Sequence, residues 1–250
     1  NYYLDQNVMS AELFGQFYEP LMSLHPLTLE PEPMLADRCT LGDDRKTFTF
    51  HVNPLAKWSD GQPVTAEDVR WTFAAILDPK NLTGPHKIGL ERFAPPEVLD
   101  EATIRFVAKE EHWENLLTLA GLQVLPKHAF ADKDFNIQNF EFPVVSGPYR
   151  LGAIQEGLQV SLERRTDWWA GDLPRFRKTA NFDVLRFRFF EERDNAFEAF
   201  QKGEIDLFPV YTAHVWANQT SGEKFDRNWI VKQEVANLNP VGFQGIALNL

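Results

Sequence analysis

The chain has 250 residues, with 25 Lys plus Arg against 36 Asp plus Glu and a formal net charge of −11. That sign disfavours nucleic acid, whose phosphates attract basic surface, and disfavours an anionic membrane surface. No apolar run approaches the ~18–20 residues that span a bilayer, and the single Cys39 excludes an internal disulfide and a Cys-based zinc cluster.

The apolar fraction of 44%, with 21 Phe, is enough for the core of one or two domains. In chain order, Leu13, Phe14, Phe17 and Leu21 share one face and predict a helix over 10–21. After the turn at Gly42-Asp43-Asp44, Phe48, Phe50 and Val52 alternate with Thr47, Thr49 and His51, the pattern of a half-buried strand. The stretch Trp58-Ser-Asp-Gly-Gln-Pro-Val-Thr-Ala-Glu-Asp-Val69 combines a strand end, a turn and a helix start. Gly61 accepts a positive φ, Pro63 forbids a continuing ladder, and Thr65 with Asp68 forms an acidic variant of the capping box. Val69, Phe73, Ile76 and Leu77 then recur at helical spacing until Asp78-Pro79. Further on come a strand at Ile104–Val107 and a helix over 113–120 with Trp113, Leu116, Leu117 and Ala120 on its inner face. The 136–145 stretch is irregular and marks a crossover between two unequal parts.

The second part reads as strand, strand, helix, strand. Leu158, Val160 and Leu162 alternate, as do Leu185, Phe187 and Phe189, with Arg186 and Arg188 facing outward. Phe197, Ala199 and Phe200 lie in a helix closed by Gly203 as a left-handed cap. Ile205–Phe208 is expected as a further strand, ended by Pro209, giving a βαβ-like unit and a mixed sheet. The fold class is therefore α/β.

Sites for chemistry are largely lacking. The six histidines (His25, His51, His86, His112, His128, His214) show no ligand spacing, so no metal is expected. Phosphate-cradling glycine loops and a nucleophile elbow are absent. Glu110-Glu111 and Glu191-Glu192 are adjacent pairs whose side chains point different ways, which suits a solvated surface better than paired acid and base. Ser146, beside Gly147-Pro148, reads as a structural turn. Among the aromatics, Trp168-Trp169 is expected to pack rather than to offer a stacking platform. The loop Tyr211-Thr-Ala-His214-Val-Trp216 follows a strand end, where ligands collect in open α/β sheets. A strand over 244–249 could pair with an extended peptide through backbone groups alone.

Beside this reading stands a resemblance. The Trp58–Val69 stretch closely resembles the signature of extracellular solute-binding protein family 5, the dipeptide- and oligopeptide-binding proteins of ABC importers. Phe17-Tyr18-Glu19-Pro20-Leu21, Pro33-Met-Leu-Ala-Asp37, Ser146-Gly147-Pro148-Tyr149, Arg164-Arg165-Thr-Asp167-Trp168-Trp169 and Phe197-Glu-Ala-Phe-Gln-Lys-Gly203-Glu-Ile-Asp206 are similar to further family motifs in the same order. Leu125-Pro126-Lys127-His128, Asp172-Leu173-Pro174 and Asn181-Phe182-Asp183 are similar to the subgroup that includes microcin-type peptide importers.

The resemblance implies a type II periplasmic-binding-protein-like fold with mixed-sheet lobes: residues 1–24 and 146–250 as an incomplete lobe I, residues 25–145 as lobe II, and a third lobe outside this piece. It implies capture of an oligopeptide or peptide-like solute between lobes and delivery to the membrane permease subunits of an ABC importer. No catalysis, no cofactor and no nucleic acid are implied, and a monomer is expected in the periplasm or as an extracytoplasmic lipoprotein. Residues expected at the ligand are Tyr211, His214, Trp216, Gln244, Ala247 and Asn249. Alternatives are the ligand-sensing domain of a regulator and a family-5 binder of a nickel chelate, heme or oligosaccharide; a hydrolase lacks a nucleophile beside a base.

Overall fold

The structure is a computed structural model that describes residue 3, residues 12–137 and residues 144–235. By its internal contacts the chain divides into two units: residues 1–152 with 162–185, and residues 153–161 with 186–250.

The first unit is built on a four-stranded sheet. Strands β3 (Ala36–Leu41), β4 (Thr47–Val52), β5 (Glu97–Val98) and β6 (Thr103–Val107) lie in the order β3-β4-β6-β5, antiparallel throughout. The alternation expected in β4 is present: Phe48, Phe50 and Val52 are buried while Thr47, Thr49 and His51 are half-buried. Phe50 and Ile104 are register partners, and Phe106 meets Phe50 edge to face at 5.9 Å. A short antiparallel pair, β1 (Met22–Leu24) with β2 (Pro31–Pro33), precedes this sheet.

Helix α1 (Ala66–Leu77) covers the sheet, with Phe73 set against Phe106 at 5.6 Å. Its start is the capping box expected from the sequence. Thr65 Oγ1 accepts from the Asp68 N–H, and Asp68 Oδ2 accepts from the Thr65 N–H at 2.9 Å. Pro79 sets the end, because a residue before proline is pushed out of the helical region; Asp78 has ψ 123. Short helices α2 (Gly84–Leu90), α3 (Asn115–Ala120) and α4 (Lys127–Phe130) complete the unit.

Two expectations need correction here. Residues 12–14 are helical and pass into a turn, so the helix expected over 10–21 stops well before Leu21. Strand-like pairing takes over: Leu21 N–H donates to Leu122 O and Ala36 N–H to Leu21 O. Helix α3 begins at Asn115, not at Trp113, and Trp113 is 75% exposed. Buried Asn115 instead donates through Nδ2 to Glu110 O, and Leu119 and Ala120 form the inner face.

Strands β7 (Tyr149–Gln155), β8 (Gln159–Arg164) and β9 (Val184–Arg188) form a three-stranded sheet in that order. In the second unit follow α5 (Arg193–Lys202), α6 (Ala213–Asn218) and α7 (Glu223–Asp226). Helix α5 ends at Gly203 with φ 82, the left-handed cap expected. Ile205–Phe208 is not a strand. It finds no ladder partner among the described residues, so the βαβ-like unit is not completed there. The segment is held by its side chain instead: the Phe208 ring packs on Phe197 at 5.4 Å and on Phe200 at 5.9 Å. Pro209, lacking an N–H, suits a chain leaving regular structure.

Candidate functional site

In the second unit, the α5 face and the chain that returns across it enclose a groove of about 790 Å³. Phe200, Phe208, Trp216, Trp229, Val231 and Lys232 are among its walls. The spacing of Phe197 and Phe200 along α5 places both rings on one side, and Phe208 closes on them after the Gly203 cap. Basic groups sit at the aromatic rim. Lys232 Nζ lies 4.0 Å from the Trp216 ring centre and donates to Trp216 O at 2.8 Å. Lys224 Nζ donates to Gln201 O. Such a surface suits apolar or aromatic side chains with an acidic or carbonyl group nearby.

The expected ligand residues separate on inspection. Trp216 lines the groove, half-buried on α6. Tyr211 is 75% exposed and does not line it; its ring covers the Arg193 guanidinium at 4.8 Å, and Phe208 covers the same guanidinium at 5.2 Å. His214 pairs with Asn218, one turn on, through Nδ1 at 3.0 Å and is exposed. Gln244, Ala247 and Asn249 lie outside the described residues.

Two constellations of hydrogen bonds lie in the first unit; of the first, the Thr65–Asp68 capping box was expected and the distant partners were not, and the second was not expected. The stretch Trp58–Val69 is a hub of hydrogen bonds. Asp68, 5% exposed, accepts from Thr65, from the Lys127 N–H at 2.9 Å and, through a longer contact of 3.4 Å, from the Trp58 indole. Ser59 exchanges bonds with Val145: its N–H donates to Val145 O, and its Oγ accepts from the Val145 N–H. This conserves polar satisfaction in a buried corner, which is a structural task.

The second constellation centres on Glu19, 3% exposed. Its two carboxyl oxygens accept separately from Trp168 Nε1 at 2.9 Å and Trp169 Nε1 at 2.7 Å. The Glu19 N–H donates to Ser146 Oγ, and the Ser146 and Gly147 N–H groups both donate to Phe17 O. Buried Arg165 gathers the carbonyls of Val145, Ser146 and Gly147 on Nη1 and reaches Asp167 through Nε. Burial pushes the Glu19 carboxyl up to about 8, although Trp169, Trp168, Ser146 and the Arg165 charge all pull it down. One signal in the sequence could have shown this. Glu19 is a lone charge among Phe17, Tyr18, Pro20, Leu21 and Met22, and a charge drawn into an apolar run has to be partnered. Among the described residues no group of three or more His, Cys, Asp or Glu could hold a metal ion, and no helix is long and apolar enough to cross a membrane.

Residues 30–249 match the bacterial extracellular solute-binding proteins, family 5 middle. The chain belongs to this family. It is 32% identical over 256 residues to the peptidoglycan-binding protein YepA of Agrobacterium fabrum, covering 98% of this chain and 41% of YepA. To the uncharacterized protein YejA of Escherichia coli it is 29% identical over 224 residues, 87% of this chain and 36% of that one. The chain thus spans well under half the length of the curated relatives it matches. Among solved structures, the Listeria monocytogenes ABC transporter substrate-binding protein CtaP superposes with a TM-score of 0.64 at 27% identity, over 82% of this chain and 41% of CtaP. The oligopeptide-binding protein AppA of Bacillus subtilis, in complex with a nonapeptide, gives 0.74 at 20% identity, over 86% of this chain and 42% of AppA. The second likeness speaks for the fold. The family is one of extracellular binding proteins, and the mixed α/β architecture with several sheets is that of its members.

Proposed function

We propose that this chain is part of the substrate-binding component of an ABC importer, one that captures oligopeptides or peptide-like solutes and presents them to membrane permease subunits. The family match over residues 30–249 carries this reading. Support comes from the relatives: a peptidoglycan-binding protein at 32% identity and an ABC transporter substrate-binding protein at 27%. In the lobe assignment that goes with it, residues 1–24 and 146–250 contribute to lobe I and residues 25–145 form lobe II. The protein acts in the periplasm, or from a lipid anchor on the outer face of the membrane, as a monomer and without catalysis. Hinge closure of the lobes buries the solute, and the difference in affinity between open and closed forms drives the change.

Within this chain the aromatic groove beside Trp216 is the proposed contribution to the ligand. Backbone pairing with an extended peptide, for which residues 244–249 are the proposed strand, needs no particular side chain.

Native mass spectrometry of the full-length parent, purified gently from its own source, tests the reading. Heterogeneous adducts spaced like short peptides are expected. A single defined adduct that is a metal chelate, heme or sugar would overturn the peptide assignment, and no adduct from any source medium would turn attention to a sensing role.

A further inference from the structure

Glu19 is a buried acid that does not line the groove proposed for the ligand. It lies on a stretch whose neighbours are all fixed by close approach. A Cβ on Gly147 would stand 2.3 Å from Gln16 O, so residues 16–19 and 145–147 run in backbone contact with no room between them. The Trp168 ring packs edge-on against Phe176 at 5.4 Å, which orients its N–H toward Glu19. Two indole N–H groups are donors only, so the carboxyl oxygens have no choice of role toward them. An ionised Glu19 is matched by these donors and faces the charge of Arg165, which is shared with Asp167. A neutral Glu19 suits the burial of its side chain. The two demands oppose each other at one atom pair. The groups around it are therefore Arg165 with its partner Asp167, the Ser146 hydroxyl, the two indoles and, next in the chain, the buried phenol of Tyr18.

We propose that Glu19 is a proton-operated latch: its protonation state sets how tightly the Trp168-Trp169 segment is held against the Phe17–Glu19 and Val145–Gly147 segments. With the proton on, the buried carboxyl closes the corner without a net charge. With the proton off, a full charge stands in a buried site, and the corner opens locally to admit water. The raised pKa agrees with this order of events and places the change well above the ordinary carboxylate range.

The experiment is a pH titration of the full-length parent with ¹⁵N-labelled Trp and ¹³Cδ-labelled Glu, followed by NMR between pH 5 and 9.5. Trp168→Phe and Trp169→Phe supply the assignments. One glutamate carboxyl titrating more than two pH units above the rest is expected, with the Trp168 and Trp169 indole N–H signals moving on the same midpoint. Solvent exchange of those two N–H groups is expected to rise more than tenfold beyond the intrinsic base-catalysed increase across that midpoint. Glu19→Gln removes the high titration if it folds. Flat indole signals, or all carboxyls titrating below pH 6, would overturn the latch on the wild-type chain alone.

Discussion

Trp169 Nε1 donates to Glu19 Oε2 at 2.7 Å, across 150 residues of chain. The contact joins two motifs that look unrelated in the sequence. Because Trp168 serves the other oxygen, the pair divides one buried carboxyl between adjacent side chains. Trp169→Phe keeps the ring and removes one donor. The expected loss is about 1–3 kcal/mol, the range for a hydrogen bond to a charged or buried group. Urea unfolding at pH 6 and pH 9 checks it, with the larger loss at pH 6, where the corner is closed and water cannot replace the missing donor.

The pH dependence of wild-type stability follows from the same residue. The Glu19 carboxyl is raised from 4.5 to about 8 on folding. A raised acid binds its proton more tightly in the native state, so its contribution is complete below about pH 4.5 and lost as pH rises to about 8. Stability of the wild type is therefore expected to fall by a few kcal/mol between those limits and then level off. Thermal unfolding in a pH series measures this; a rising trend over that window contradicts it.

Glu67 acts in the opposite direction. Its carboxyl is held down at about 2, first by the Arg70 guanidinium at 2.6 Å and also by Lys127 at 2.8 Å. A depressed acid stabilises above its unfolded value and loses that contribution as pH falls through about 2. Its side chain is 38% exposed, so screening limits the effect to at most about 1 kcal/mol. Glu67→Gln is expected to flatten the acid limb of the stability curve below pH 4.5 and to change little at pH 7 beyond that amount.

Gly147 and Gly61 are both glycines for opposite reasons. At Gly147 a Cβ meets the Gln16 carbonyl, and backbone cannot move aside. Gly147→Ala is expected to cost about 3 kcal/mol or more. Gly61 has open space but φ +89, so Gly61→Ala is expected to cost only about 1–2 kcal/mol. Chemical denaturation of the two variants side by side settles the order.

Trp216 lines the groove of the second unit and Tyr211 does not. In the full-length parent, Trp216→Ala is therefore expected to weaken peptide binding about tenfold or more, as loss of a buried aromatic anchor does. Tyr211→Ala is expected to change affinity less than threefold. Calorimetry with a peptide recovered from the parent measures both, and equal effects would count against the groove.

What was legible in the sequence was local. The alternation of Phe48, Phe50 and Val52, the Thr65–Asp68 capping box, the Asp78-Pro79 stop and the left-handed Gly203 each depend on neighbours within about four residues. Backbone sterics and side-chain periodicity fix such features wherever the chain is placed, and the ordered motifs carried the family. The tertiary structure decided what needs a distant partner. Ile205–Phe208 has a strand's composition but no ladder among the described residues, so the ring contacts of Phe208 hold it instead. Trp113 has helical spacing but lies outside α3, which starts at Asn115, whose side chain bonds back to Glu110 O. Glu19 shows in the sequence only as a charge out of place; that Trp168 and Trp169 receive it depends on the Ser146-Gly147 backbone lying against Phe17. Periodicity carries no information about which residues 150 positions away will meet, since that choice is made by packing the whole core at once.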